Sequence, residues 1–85
     1  MEKIEITKSL MKILSEKSFG RKMPKDYDSS DSLLSNGIID SFGIFPFIHE
    51  LERQFNIGIK NRDIHPGNFE TIDNISSFIY KKKNN

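Results

Sequence analysis

The 85 residues contain no cysteine and no tryptophan. Without thiols the chain can form no disulfide and offers no thiolate to a metal, and a reducing, cytoplasmic setting is the expected one. Charge of one sign is also lacking. Thirteen basic residues against 12 acidic leave a net charge of +1, too weak a field to draw nucleic acid or an anionic membrane. No apolar run approaches the roughly 18 residues needed to cross a bilayer. At the start, Glu2, Lys3 and Glu5 stand among Ile4 and Ile6, so there is no signal-peptide core. Only two histidines occur, His49 and His65; they lack ligand spacing, and no metal centre is expected. A chain this short buries only about 60% of its unfolded surface, which leaves little room for an enclosed catalytic cleft. The expectation is one domain spanning residues 1–85.

Helical periodicity supplies the architecture. Ile6, Leu10, Ile13 and Leu14 recur at steps of three and four, with Lys8, Lys12, Ser15 and Glu16 opposite them, which predicts a helix from Ile4 to about Lys17. From Ser18 to Asn36 turn formers dominate (Gly20, Pro24, Asp26, Asp28, Ser29 to Ser32), and a loop this long in so small a domain is often functional. Leu33 and Leu34 are its expected anchors, within a short helical turn. Ile44, Phe47, Ile48, Leu51 and Phe55 then mark a second helix ending near Asn56, with Gly58 beyond it. A short element over Asn61 to His65 should stop at Pro66 and Gly67. Thr71 is placed to cap a last helix carrying Ile72, Ile75, Phe78 and Ile79, and Lys81 to Lys83 suit its C-terminus. The predicted fold is all-α: a small four-helix bundle of three longer helices plus a short third helix.

The segment ahead of the second helix carries the chemistry. Asp40 stands where an N-cap belongs, and Ser41 follows as the first helical residue. Unpaired N–H groups and a partial positive charge at a helix N-terminus stabilise a phosphate, so an anion on Ser41 would be favoured there. By spacing alone, however, an Asp-Ser pair at a helix start reads as a plain cap. A nucleophilic serine needs a base within reach; His49 lies over two turns along the same helix, and no Gly-x-Ser-x-Gly elbow occurs. The chain is not expected to be an enzyme.

Gly37-Ile38-Ile39-Asp40-Ser41-Phe42 resembles the Gly-x-Asp-Ser-Leu attachment motif of the acyl and peptidyl carrier proteins. Leu51 to Ile57 look like the second helix and its exit in that family, and Ile64 to Ile72 like the short third helix and the start of the fourth, so the likeness covers about Ser32 to Lys82. It implies a small helical carrier modified on Ser41 with 4′-phosphopantetheine, whose terminal thiol holds acyl or aminoacyl groups as thioesters. Ser41 would attack the pyrophosphate linkage of coenzyme A, with a phosphopantetheinyl transferase supplying base and magnesium. Asp40 would cap the helix and help that transferase bind. Ile39 and Phe42 match positions that partners contact, with core packing as the competing reading; Ile64, also a partner-contact candidate, and Ile59 match positions near the third helix that help form the cargo cleft or partner face, where core packing is favoured. The implied partners are an AMP-forming acyl or aminoacyl ligase and acyltransferase or synthase enzymes of fatty-acid or secondary-metabolite biosynthesis, visited by a monomer. Asp-Ser-Phe-Gly and the Asn-Phe-x-Thr-Ile ending are most similar to stand-alone carriers such as the D-alanyl carrier protein.

The family is usually acidic along its second helix. Here Gly43 and Pro46 fall at partner-facing positions that often hold acids, and Arg53 interrupts Glu50 and Glu52, which points to docking through shape and apolar contact. Pro46, as sixth residue of a helix begun at Ser41, would delete a ladder bond, so a kink or a loosened first turn is expected. Phe42 is the aromatic expected outside; Phe45 and Phe47 are expected in the core. The alternative function is an unmodified helical docking module of the same fold.

Overall fold

The computed structural model describes residues 1–84. Four α-helices run in chain order: α1 (Lys3–Glu16), α2 (Ile44–Phe55), α3 (Pro66–Phe69) and α4 (Ile72–Asn84), with a single 3₁₀ turn (Asn61–Asp63) before α3. The described residues hold no β-strand, only an isolated parallel bridge between Phe19 and Ile39. This is the small four-helix bundle, three longer helices and a short third one, that the apolar spacing predicts.

Each long helix buries the face its sequence marks. Ile6, Leu10, Ile13 and Leu14 of α1 are buried, and α1 packs most extensively on α4, which contributes Ile72, Ile75, Phe78 and Ile79. Burial of each such side chain stabilises by about 1.5–3 kcal/mol. One polar group enters this interface: Ser76 is fully buried, and its hydroxyl meets that of Thr7 at 2.8 Å, so neither is left unpaired. Helix α2 brings in Phe47, Ile48, Leu51 and Phe55. It ends on Asn56, whose φ of 53° is left-handed; Asn is the non-glycine residue best able to take that C-terminal position. Gly58, farther along, is not the cap.

The segment between α1 and α2 is irregular but tied down. Phe19, Tyr27, Leu33, Ile38 and Ile39 all join the core. The Tyr27 hydroxyl donates to the Asp31 carbonyl at 2.7 Å and accepts from the Ile72 N–H at 3.4 Å. The Leu33 N–H donates to the Glu70 carbonyl, the Asp73 N–H to that of Ser29, and the Ser32 hydroxyl to the Glu70 carboxylate. The loop is therefore stapled to the α3–α4 junction. Residues 33–37 form the expected helical turn, yet only Leu33 is an anchor; Leu34 is 37% exposed.

The expectation about Pro66 is corrected, and that about Pro46 is met in its second form. Pro66 does not stop a helix; it starts α3 as its first residue, where a missing N–H costs nothing. Pro46 produces no kink within α2, because the helix begins at Ile44 and Pro46 is its third residue, among the positions whose N–H has no intrahelical partner. The loosened first turn is what the chain adopts: residues 41–43 form a turn ahead of the helix. Thr71 caps α4 as expected, its hydroxyl accepting the Asn74 N–H at 3.0 Å.

Candidate functional site

The turn that carries Ser41 is built by Asp40. Its N–H donates to the Phe19 carbonyl at 3.0 Å, and its own carbonyl accepts from the Gly43 and Ile44 N–H groups, each at 3.1 Å. Its carboxylate accepts from the Phe42 N–H at 2.9 Å and the Gly43 N–H at 2.7 Å. Asp40 is thus a cap, as its position suggested, but of a turn preceding the helix. Ser41 lies within that turn, exposed, and its hydroxyl makes no hydrogen bond among the described residues.

The same geometry narrows the set of donors open to an anion. The N–H groups of Phe42 and Gly43 are already occupied by the Asp40 carboxylate, and Pro46 has none. The N–H groups of Ser41 and Phe45 have no hydrogen-bond partner among the described residues, so two backbone donors stay open beside a group on Ser41.

Gly43 is not partner-facing. It is buried, and a Cβ there would lie 1.6 Å from the Phe19 carbonyl oxygen. Only a residue without a side chain lets the turn approach the Phe19 backbone this closely. The contact also seats the Phe19 ring edge-on against Phe47, with centroids 5.2 Å apart.

Ser41 stands on the rim of an apolar groove of about 490 Å³. Leu34, Gly37 and Ile39 from the loop form one wall, Ile44 opens α2, and Ile64, Pro66 and Phe69 close the other side, with Asp40, Ser41 and His65 as the polar groups. Ile39 is 1% exposed, so it belongs to the core and the groove floor and offers no outer surface to a partner. Ile64 is half-buried, packs against the core and lines the groove. Ile59 also packs against the core, but away from the groove, where its N–H donates to the Glu52 carboxylate. Phe42 is 88% exposed and Phe45, expected in the core, is 59% exposed; Phe47 is fully buried. The groove residues that the periodicity alone left unmarked are Leu34, Gly37 and His65, because they come from segments without repeating apolar spacing.

The outer face of α2 carries little free charge. Glu50 accepts from the Lys17 ammonium at 2.9 Å and is also held by Gln54 and Arg53. These contacts, Lys17 foremost, hold its carboxyl down at about 2. Among the described residues no group of three or more histidine, cysteine or acidic side chains is placed to hold a metal, and no helix is long and apolar enough to cross a membrane.

No protein-family model matches the chain. The chain is similar to the protein named "Probable acyl carrier protein PigG" of Serratia sp. (strain ATCC 39006), with 30% identity over 56 residues. That alignment takes in 66% of this chain and 64% of the relative, so it spans less than two thirds of that protein.

Proposed function

We propose that this chain is an acyl carrier protein that bears 4′-phosphopantetheine on Ser41. The observation that carries the reading is the free, exposed Ser41 hydroxyl on a hydrogen-bonded turn at the rim of an apolar groove; the similarity to a probable acyl carrier protein supports it. The residues fit such an arm. The hydroxyl is unobstructed, and the groove beside it could shelter an apolar chain. When bound, the group supplies the thiol that this cysteine-free chain lacks, and so thioester chemistry.

In the modification, the Ser41 oxygen forms a bond to the phosphorus next to the pantetheine portion of coenzyme A. The pyrophosphate P–O bond breaks, adenosine 3′,5′-bisphosphate leaves, and the serine proton passes to a base of the phosphopantetheinyl transferase. Asp40 holds the turn that presents the hydroxyl. The finer assignment is a stand-alone carrier loaded by an AMP-forming acyl or aminoacyl ligase, which the Asp-Ser-Phe-Gly sequence supports. Docking would rely on apolar contact through Phe42 and its neighbour Phe45, since α2 exposes few acids and Glu50 is already paired.

The test is direct. Co-expression with a broad-specificity phosphopantetheinyl transferase, followed by intact mass measurement, should show one added phosphopantetheine on the native chain and none on Ser41→Ala. An unchanged mass for the native chain would overturn the reading in favour of an unmodified docking module.

A further inference from the structure

Two of the three lysines that close α4 have partners outside that helix. The Lys83 ammonium donates to the Phe55 carbonyl at 3.0 Å, at the end of α2. The Lys82 ammonium meets the Asp63 carboxylate at 3.3 Å, and both side chains are partly buried. It also stands 5.7 Å from the centre of the Phe78 ring. Asp63 is held from its own side too: its carboxylate accepts the Lys60 N–H at 2.9 Å, and its carbonyl accepts the Asn68 amide at 2.8 Å. Lys81 is exposed and has no such partner among the described residues.

Asp63 lies in a segment that needs such a tie. Phe55 and Phe69 are buried, and no side chain of residues 56–68 between them is fully buried. The segment leaves α2 through the left-handed Asn56 and passes Gly58, which stands in open space. Ile57, Ile59 and Ile64 pack against the core only in part. Two side chains from outside hold it by polar contacts: Glu52 of α2, which accepts the Ile59 N–H at 3.0 Å, and Lys82 of α4. A stretch with so few buried contacts opens at lower free energy than the helices around it. The residues directly after Asp63 are Ile64, His65 and Pro66, which form one wall of the groove beside Ser41.

We propose that residues 56–68 form a strap along the groove, latched by Lys82 on Asp63, and that this latch sets how long an apolar chain the groove takes. The inference rests on the carrier reading. Lys82 is not part of the groove wall; it acts through Asp63 and is a positioning residue for the cargo. With the ion pair closed, Ile64 stays against the core and the groove keeps its volume of about 490 Å³. With it open, the wall swings outward between its buried ends, Phe55 and Phe69, and a longer chain enters. A partly exposed ion pair is weakened by salt, so ionic strength works the latch as well.

Amide hydrogen exchange of the unmodified chain reads the strap without any acyl group. Lys82→Met keeps an apolar stem beside Phe78 and removes the charge; Asp63→Asn keeps an acceptor for the Lys60 N–H. Each should speed exchange at Ile59, Asp63 and Ile64 by about fivefold and leave Leu10 and Ile13 of α1 unchanged. Lys82→Arg and Lys81→Met should match the native chain. Equal strap exchange in Lys82→Met and the native chain overturns the inference. The cargo is then read by letting a broad-specificity phosphopantetheinyl transferase load Ser41 from acetyl-, butanoyl-, octanoyl-, dodecanoyl- and hexadecanoyl-coenzyme A. The gain in melting temperature over the acetyl arm should level off at a shorter chain in the native protein than in Lys82→Met. High salt should move the native plateau towards longer chains. A purely structural role lowers every loaded form equally and leaves the plateau in place, and that result, or a loss of the gain with every arm, overturns the inference while leaving the carrier reading intact. Failure of the native chain to gain any arm's mass removes the carrier reading and the cargo role with it, whatever the exchange rates show.

Discussion

Replacing Gly43 by alanine tests the packing on which the Ser41 turn depends. The new methyl would fall 1.6 Å from the Phe19 carbonyl oxygen, 2.3 Å from its carbon and 2.8 Å from its Cα. All three are backbone atoms, so no side-chain rotation relieves the clash. Ordinary van der Waals contact can be restored only by moving the Phe19 segment away. That displacement breaks the 3.0 Å bond from the Asp40 N–H to the Phe19 carbonyl and loosens the Phe19–Phe47 ring contact. Overpacking costs about 1–3 kcal/mol, and the lost hydrogen bond about 0.5–1.5 kcal/mol, so Gly43→Ala should destabilise by about 3 kcal/mol. A chain of this length has about 4–13 kcal/mol in all, and the melting temperature should fall by more than ~10 °C. Gly58→Ala is the control, because a Cβ there meets nothing within 4 Å. It should leave stability unchanged or raise it by up to about 1 kcal/mol. Urea and thermal unfolding followed by circular dichroism measure both. A Gly43→Ala protein within ~1 kcal/mol of the native chain would refute the argument that this glycine is required by close approach to Phe19.

Two further expectations concern hydrogen-bonded side chains. Tyr27→Phe removes the donor to the Asp31 carbonyl and the acceptor for the Ile72 N–H, and urea unfolding should show a loss of about 1–2 kcal/mol. Burial raises the Tyr27 hydroxyl to about 12 from 10.0. The folded state therefore keeps its proton where the unfolded state loses it. Stability should be undiminished below pH 10 and decline between pH 10 and about 12, a decline that Tyr27→Phe should lack. Glu50 shifts the other way: Lys17 above all, then Gln54 and Arg53, lowers it from 4.5 to about 2. Its contribution is present above pH 4.5 and fades as pH falls towards 2, so Glu50→Gln should flatten the acid-side loss of melting temperature in that window. A native-like slope in the variant would count against the pairing.

What the sequence by itself determined is the three long helices and the cap at Asp40. Repeating apolar positions in α1, α2 and α4 must be buried wherever those helices lie, because their exposure costs more than any local propensity returns. Ser41 beside Asp40 was legible for a similar reason: capping is a short-range interaction between neighbours in the chain. Tertiary structure decided the rest. The helix start moved three residues beyond Ser41 because Asp40 first closes a turn against Phe19. That placement makes Pro46 harmless and Gly43 indispensable. Ile39 went inside while Phe45 stayed out, a sorting that depends on how the loop crosses the bundle. The groove itself joins Leu34, Ser41 and His65 from three separate segments. No periodicity links them, and only the packed chain brings them together.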